Sequence, residues 1–170
     1  MSLALGILTI SDKGAAGQRQ DISGQTIREL LAALGGTVVR YEIVPDEQEN
    51  IQATLSRWAD SGEVDVIFTT GGTGLAPRDV TPEATLAVVA RVVPGIAEAM
   101  RSASLSKTPM AMLSRATAGT RNKCLIINLP GSPKAVRECL GAILPAVSHA
   151  VEIIKGIVNE HSIEETGHAD

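Results

Sequence analysis

Aromatic residues are scarce in this chain of 170 residues, since one tyrosine, one tryptophan and one phenylalanine make up 2% of it. Proteins that bind single-stranded nucleic acid stack successive bases on several aromatic rings, which this chain cannot supply. Basic residues are fewer than acidic ones, and a net charge of −4 does not favour contact with a phosphate backbone. Nucleic acid is therefore not an expected partner.

Long apolar runs, signal features and clustered cysteines are also missing. No apolar stretch approaches the roughly 18 residues that would span a bilayer, and the opening MSLALG lacks the basic and apolar regions of a signal peptide. Cys124 and Cys139 are isolated, without Cys-x-x-Cys spacing, so we expect two buried free thiols in a reducing compartment. The sequence predicts a cytoplasmic protein with no membrane contact.

The length suits a single domain, which we place at residues 1–155, followed by a polar, flexible tail at 156–170. Apolar residues make up 44% of the chain and charged residues 20%, close to the averages of globular proteins. A chain of this size buries about 68–70% of the surface that its unfolded state exposes, enough for one substantial core.

Apolar residues follow two periodicities that alternate along the chain. Short apolar runs predict strands at residues 3–10, 37–44, 64–70 and 123–129. After a polar loop from Ser11 to Asp21, helical spacing predicts helices over residues 27–34, 51–59, from 81 onward, 94–105 and 133–154. This alternation predicts an α/β fold: a three-layer α/β/α sandwich with a mostly parallel central sheet.

Polar loops follow the predicted strands. They comprise Ser11-Asp12, Pro45-Asp46, the segment 71–79, and Pro130 to Ser132. Open parallel sheets bind ligands outside the carboxyl ends of their strands, where such loops meet. We therefore expect the four loops to form one site at one edge of the sheet.

The loop Gly71-Gly72-Thr73-Gly74 is the most informative of these. Backbone N–H groups in a glycine-rich turn can surround an anion, and the helix that follows adds positive potential. No Gly-Lys-Ser/Thr follows, so it is not a Walker A loop, and it lacks the Gly-x-Gly-x-x-Gly order. A tight turn without a ligand is the alternative, and the four residues alone favour it.

Two aspartates stand beside these turns. Asp79 precedes Thr81, the better N-cap of the next helix, so the side chain of Asp79 has no evident structural task. Together with an acid from another loop it could hold Mg²⁺ against phosphate oxygens. Asp46 opens an Asp-Glu-Gln-Glu segment and could equally be an N-cap, with Glu49 completing a capping box.

The other polar loop residues each allow two interpretations. Ser11 and Asp12 could form an ordinary turn, and Ser132 could cap the last helix. Ser114-Arg115 could be solvated or could bind a phosphate. The histidines lie far from every glycine loop, so a Ser-His-Asp or Cys-His nucleophile is not predicted.

Together, the segments 10–12, 44–47, 69–85 and 128–134 resemble the molybdenum-cofactor biosynthesis family of molybdopterin-binding proteins. The resemblance extends from about residue 3 to residue 155, in order and with compatible spacing. The run Gly-Gly-Thr-Gly followed by Pro-Arg-Asp-Val-Thr-Pro-Glu-Ala-Thr is highly specific to that family.

The resemblance implies an α/β/α sandwich assembled as a homotrimer. It implies an enzyme that adenylylates molybdopterin with Mg-ATP, releases pyrophosphate and supplies a molybdate-insertion enzyme. Asp46 and Asp79 match the family's two functionally important aspartates, which would be catalytic and would hold Mg²⁺ or the pterin. The substrate-binding and nucleotide-binding positions implied are Ser11, Asp12, Gly71, Gly72, Thr73, Gly74, Thr81, Glu83, Ser114, Arg115, Pro130, Gly131 and Ser132.

Two other functions are compatible with the resemblance. Some relatives carry similar motifs without a clear catalytic role, so a non-catalytic protein that binds and delivers molybdopterin is the alternative. The presence of both Asp46 and Asp79 favours the enzyme. A molybdate-insertion enzyme shares the core module but needs further domains, which 170 residues cannot hold.

Overall fold

The computed structural model describes residues 2–32 and 35–157, and its centre is a six-stranded sheet in the order β2-β1-β3-β6-β5-β4. The strands are β1 (Ala4–Ile10), β2 (Thr37–Val44), β3 (Val66–Thr70), β4 (Arg91–Val92), β5 (Ala118–Arg121) and β6 (Cys124–Leu129). The helices are α1 (Asp12–Ala15), α2 (Ile22–Ala32), α3 (Gln48–Asp60), α4 (Thr81–Val88), α5 (Pro94–Leu105) and α6 (Pro133–Lys155), and a 3₁₀ helix covers Pro109–Leu113.

Neighbouring residues of the central strands point into two separate apolar layers. Ile7 and Phe68 face α2, α5 and α6, whereas Leu8 and Ile67 face α3 and α4. All four side chains are fully buried. Each contributes about 1.5–3 kcal/mol relative to an exposed position. Burial on both faces explains why these strands read as continuous apolar runs, and it confirms the predicted three-layer sandwich.

The four predicted strands are the parallel ones, β1, β2, β3 and β6. The short strands β4 and β5 extend the sheet with antiparallel pairing, and the sequence analysis did not predict them. The sequence of β5, Ala-Gly-Thr-Arg, has neither an apolar run nor an alternating pattern, so its pairing depends on the adjacent edge of β6.

The predicted loop from Ser11 to Asp21 contains a helical turn, and that prediction was wrong over α1. The Ser11 hydroxyl accepts the N–H of Gly14 at 3.1 Å, which caps the turn. A helix of four residues is too short to show an apolar periodicity. The next helix begins at Ile22 rather than near Ile27. Leu34, predicted to lie on its apolar face, falls outside the described residues, as does the tail from 158 onward.

Both cysteines are free and buried, as predicted. Burial, with a smaller contribution from the Asp65 charge, raises the pKa of the Cys124 thiol to about 12. The same cause raises the pKa of Cys139. Within residues 2–32 and 35–157, no helix combines the length and the apolar character that a membrane crossing requires.

The amino ends of the parallel strands are joined by Asp65, which is 7% exposed. Its Oδ2 accepts the N–H of Ala4 at 2.9 Å, and its Oδ1 forms a salt bridge with Lys155 at the end of α6. The backbone of Asp65 pairs with Ala4 and with Leu125. One buried carboxylate therefore connects β1, the start of β3 and the last helix.

Candidate functional site

The glycine loop lies at the carboxyl edge of the sheet and adopts a conformation that requires glycine. Gly71 and Gly72 have φ angles of 98° and 65°, in the left-handed region. A Cβ at Gly71 would collide with the carbonyl oxygen of Ile10. The loop therefore sits directly against the end of β1, and its backbone can approach a ligand without side chains intervening.

Thr81 holds this loop in place rather than capping α4, so its predicted N-cap role was wrong. Val80 occupies the N-cap position, and Thr81 is the first helical residue. The Thr81 hydroxyl donates to the carbonyl of Gly71 at 2.9 Å, and its N–H donates to the carbonyl of Gly72 at 3.1 Å. With both groups occupied, the completely buried Thr81 positions the glycine turn.

Asp12 and Asp46 lock two strand ends together. The Asp12 N–H donates to Oδ2 of Asp46 at 2.8 Å, and the Asp46 N–H donates to Oδ1 of Asp12 at 3.0 Å. The capping interpretation of Asp46 was therefore wrong: Glu47 is the N-cap of α3 and makes no side-chain capping bond. Asp46 instead lies beside the glycine loop, where a Cβ on Gly72 would be 3.4 Å from its Oδ1.

Asp79 has a structural contact that the sequence did not reveal. Its Oδ2 accepts the N–H of Ala76 at 2.9 Å, which folds the segment between the glycine loop and α4. Its Oδ1, like Oδ1 of Asp46, accepts no hydrogen bond from residues 2–32 or 35–157. Both side chains are half-buried. Each aspartate thus retains one accessible oxygen that the described protein does not use.

The two free carboxylates are close enough to influence each other. Burial raises the pKa of Asp46, and the negative charges of Asp12 and Asp79 add to the effect, whereas the Asp12 N–H and the Arg78 charge oppose it. Because these surroundings disfavour the negative charge of Asp46, a cation bound beside it would be favourable. Asp46 and Asp79 are therefore candidate ligands for a metal ion.

The donor set is compatible with magnesium and unsuited to zinc. Among the residues that the structure describes, no group of three or more His, Cys, Asp or Glu side chains could enclose a metal ion. Mg²⁺ is normally bound by one or two carboxylates, with water and substrate phosphates filling its other positions. Two carboxylate oxygens beside the glycine loop fit that pattern.

The Arg115 side chain forms hydrogen bonds with the glycine loop and with the segment that follows it. Its guanidinium donates to the carbonyls of Gly74 at 2.7 Å and Asp79 at 2.6 Å, and it pairs with Glu83. Its N–H also donates to the carbonyl of Thr73. These contacts give Arg115 and Glu83 a role in shaping the loop and show that Arg115 is not simply solvated; a phosphate contact of Arg115 stays a prediction.

The loop from Pro130 to Ser132 closes the site from the side of β6. The Pro130 carbonyl accepts the Thr70 hydroxyl at 2.7 Å, and the Gly131 carbonyl accepts the Ser23 hydroxyl at 2.6 Å. Ser132 caps α6, as its capping interpretation predicted, by accepting the N–H of Ala135 at 3.2 Å. The Pro130 turn therefore stands directly beside the glycine loop.

Two pockets flank the wall that these two loops form. The first, of about 280 Å³, is called the apolar pocket here; its lining includes Thr73, Gly74, Met100, Arg101, Ser104, Met110, Leu113, Ser114, Pro130 and Glu138. The second, of about 250 Å³, is called the polar pocket; its lining includes Ser11, Arg19, Gln20, Asp21, Ser23, Thr70, Gly71 and Gly131. Residues of the glycine loop and of the Pro130 turn contribute to both.

Asp21 is a residue of the polar pocket that the sequence analysis missed. Its carboxylate accepts the hydroxyls of Thr9 and Tyr41, each at 2.5 Å, and the N–H of Gly24 at 2.8 Å. The position of Asp21 directly before α2 is an available N-cap signal. Its contacts with Thr9 and Tyr41 join residues 12 and 20 positions away, so the neighbouring sequence could not predict them.

The chain resembles known proteins in both sequence and fold. Residues 6–149 match the family model described as a probable molybdopterin binding domain. The chain is 46% identical over 168 residues to a molybdopterin adenylyltransferase of Helicobacter pylori, covering 96% of each chain. It is 41% identical over 152 residues to the Escherichia coli molybdopterin adenylyltransferase, covering 88% of this chain and 78% of the relative.

A solved structure agrees with these relatives. The molybdopterin biosynthesis enzyme MoaB from Thermus thermophilus superimposes with a TM-score of 0.86 and 55% identity, over 91% of this chain and 97% of the other.

Proposed function

The chain belongs to the family of probable molybdopterin binding domains, and we propose that it is a molybdopterin adenylyltransferase. In this reaction an oxygen of the terminal phosphate of molybdopterin bonds to the α-phosphorus of ATP. The bond from that phosphorus to the pyrophosphate oxygen breaks, and pyrophosphate leaves. The product is adenylylated molybdopterin.

The proposal is carried by one observation: Asp46 and Asp79 each present a free carboxylate oxygen beside a glycine loop that separates two pockets. A reaction that joins two substrates needs a site for each and a common wall where their phosphates meet. Transfer of a phosphoryl-type group requires charge neutralisation and alignment, and it needs no covalent nucleophile from the protein.

The glycine loop supplies donors for the phosphates at that wall. The N–H groups of Thr73 and Gly74 have no acceptor among residues 2–32 and 35–157. Backbone donors held in place before the reaction cost no reorganisation when negative charge develops. Asp46 and Asp79 would hold Mg²⁺, which when bound supplies the positive charge that offsets the phosphate oxygens.

We assign the pterin of molybdopterin to the apolar pocket and ATP to the polar pocket. A flat fused ring suits walls formed by Met100, Met110 and Leu113. Glu138, which lines the same pocket and forms no salt bridge within the described chain, offers a carboxylate to the amino edge of the pterin. The polar pocket, with Arg19 and Gln20, offers donors and acceptors for a nucleotide.

Further properties of the family extend the proposal. We propose a homotrimer and a downstream molybdate-insertion enzyme as the partner that receives the product, as the family resemblance implies. A cytoplasmic location is supported by the two free, buried cysteines, which suit a reducing compartment. The domain spans residues 1–155 in this proposal.

The decisive experiment measures pyrophosphate release from Mg-ATP with and without molybdopterin, in the unaltered protein and in Asp79→Ala. We expect release that requires molybdopterin and falls by about a hundredfold or more in the variant, since transition-state charge loses a partner. Glu49→Ala, which removes an exposed acid near the site, is the control and should retain activity.

The alternative function, a non-catalytic molybdopterin carrier, gives a different result in the same assay. A carrier would bind molybdopterin but release no pyrophosphate at any Mg²⁺ concentration. Full activity of Asp79→Ala would instead leave the adenylyltransferase in place and remove Asp79 from its site.

A further inference from the structure

Arg78 connects the segment after the glycine loop to the two strand ends that carry Asp12 and Asp46. Its Nε donates to Oδ2 of Asp12 at 2.6 Å, and its Nη2 donates to Oδ1 of Asp12 at 2.8 Å. This is the two-pronged geometry in which a guanidinium binds a carboxylate most strongly. Arg78 lies one residue before Asp79, so the contact ties both aspartates of the proposed site to one another.

The contact leaves Asp12 without a free oxygen. Oδ1 of Asp12 also accepts the N–H of Asp46, so both of its oxygens are occupied. The Arg78 hydrogen bond accordingly lowers the pKa of the Asp12 carboxyl. Asp12 therefore differs from Asp46 and Asp79, which form no salt bridge within the described residues and each keep one oxygen free.

We propose that Arg78 is a positioning residue that fixes Asp46 through Asp12 and removes Asp12 from the set of possible metal ligands. The inference rests on the proposed function, because it assigns Arg78 to the same magnesium-dependent site. Without Arg78, a third carboxylate becomes available beside Asp46, and the Asp12–Asp46 hydrogen bonds lose the group that anchors them.

A contribution to folding alone does not account for this pair. The side chains of Arg78 and Asp12 are 57% and 43% exposed, so solvent screens the pair and its contribution to stability is modest even with two hydrogen bonds. The chain contains a second pair with similar exposure, Arg57 and Glu42, at 62% and 40%. That pair joins α3 to β2 through one hydrogen bond, and neither residue lines the two pockets, so it is a control for the loss of an exposed ion pair away from the site.

The test compares Arg78→Gln and Arg57→Gln for pyrophosphate release across a range of Mg²⁺ concentrations, and for their thermal unfolding midpoints. We expect kcat of Arg78→Gln to fall about ten- to hundredfold, as is typical when a group supporting a metal ligand is lost. KM for molybdopterin should stay within about twofold, because Arg78 lines neither pocket. Both unfolding midpoints should fall only slightly, with the larger shift in Arg78→Gln because its pair has two hydrogen bonds.

A double-mutant cycle with Asp12→Asn separates action through Asp12 from an independent role. If Arg78 acts through Asp12, adding Asp12→Asn to Arg78→Gln will lower kcat no further than the more damaging single change. Additive losses, or a kcat of Arg78→Gln within twofold of the unaltered protein, would overturn the inference.

Failure of this inference and failure of the proposed function give different results. Active Arg78→Gln together with inactive Asp79→Ala would reject only the role of Arg78. Absence of pyrophosphate release from the unaltered protein would reject the proposed function before any variant is compared.

Discussion

At each end of β1, an aspartate carboxylate accepts a backbone N–H, but the two aspartates have different roles. At the amino end, Oδ2 of Asp65 accepts the N–H of Ala4 at 2.9 Å; at the carboxyl end, Oδ2 of Asp46 accepts the N–H of Asp12 at 2.8 Å. Each aspartate thereby binds a neighbouring segment to its own strand. The difference lies in the second oxygen of each carboxylate.

Asp65 uses its second oxygen and Asp46 does not. Oδ1 of Asp65 pairs with Lys155, and the side chain is 10% exposed. Oδ1 of Asp46 has no partner among the described residues, and the site lies against loops rather than against a helix. Removing one partner of a paired, enclosed charge destabilises the fold because the other is left unpaired, whereas an unpaired charge in an accessible site is available to a ligand.

The comparison is tested most strongly by Asp46→Asn. The asparagine keeps an oxygen for the Asp12 N–H but loses the negative charge, so we expect kcat to fall about a hundredfold or more. Stability should stay equal or rise, because burial raises the pKa of Asp46 and its charged form is unfavourable in the fold. Pyrophosphate release and urea unfolding of the same preparation measure both effects.

A parallel loss of stability and activity in Asp46→Asn would contradict this division of roles. It would place Asp46 with Asp65 as a residue that the fold requires. Asp46→Glu serves as a second variant, since it keeps the charge and moves the carboxylate by one methylene.

The reverse result is expected for Asp65→Asn. Removing this charge leaves Lys155, whose side chain is 27% exposed, without its partner, so we expect a loss of about 2 kcal/mol in the free energy of unfolding. The kcat for pyrophosphate release should remain within twofold, because the change lies at the opposite edge of the sheet. Denaturant titration and the steady-state assay check the two statements.

Lys155→Gln combined with Asp65→Asn is the control for this pair. The double variant should lose less stability than Asp65→Asn alone, because no buried charge is left unpaired. If both variants lose the same amount, the loss comes from replacing the carboxylate of Asp65 itself and not from leaving Lys155 unpaired.

The two edges also differ in how far local sequence predicts them. The apolar runs predicted β1, β2, β3 and β6, because residues buried on both faces leave a direct pattern in the sequence. The glycine loop and the Pro130 turn were placed correctly at the carboxyl edge, since every parallel strand ends there. The order of strands and loops along the chain was therefore sufficient to predict that these loops meet at one edge of the sheet.

The roles of individual side chains at this edge could not be predicted from the residues next to them in the sequence. Asp46 and Thr81 both occupy positions where an N-cap is expected, yet each contacts a segment distant in sequence instead. Asp12 and Arg78 are 66 residues apart. Arg115 turns inward to carbonyls of the glycine loop. Such choices depend on which groups the fold brings together, and local propensity carries no information about them.

The smallest effect that we predict is a dependence of stability on pH at the carboxyl edge. Because the pKa of Asp46 is raised in the folded state, mainly by burial, the folded protein binds this proton more tightly than the unfolded chain. Stability from this group is present below the unfolded pKa of about 3.9 and is lost as the pH rises through the folded value. Asp46→Asn lacks this loss, so its stability relative to the unaltered protein should increase with pH and then level off.

Adding Mg²⁺ tests whether this difference in stability between the unaltered protein and Asp46→Asn is linked to metal binding. Urea unfolding of both proteins from about pH 4 to about pH 7 gives the difference in stability at each pH. Adding Mg²⁺ with ATP should reduce or reverse that difference, because a bound cation favours the charged carboxylate that burial disfavours. A difference between the two proteins that is flat with pH and insensitive to Mg-ATP would mean that the free oxygen of Asp46 meets solvent alone, and that the contrast with Asp65 has no functional content.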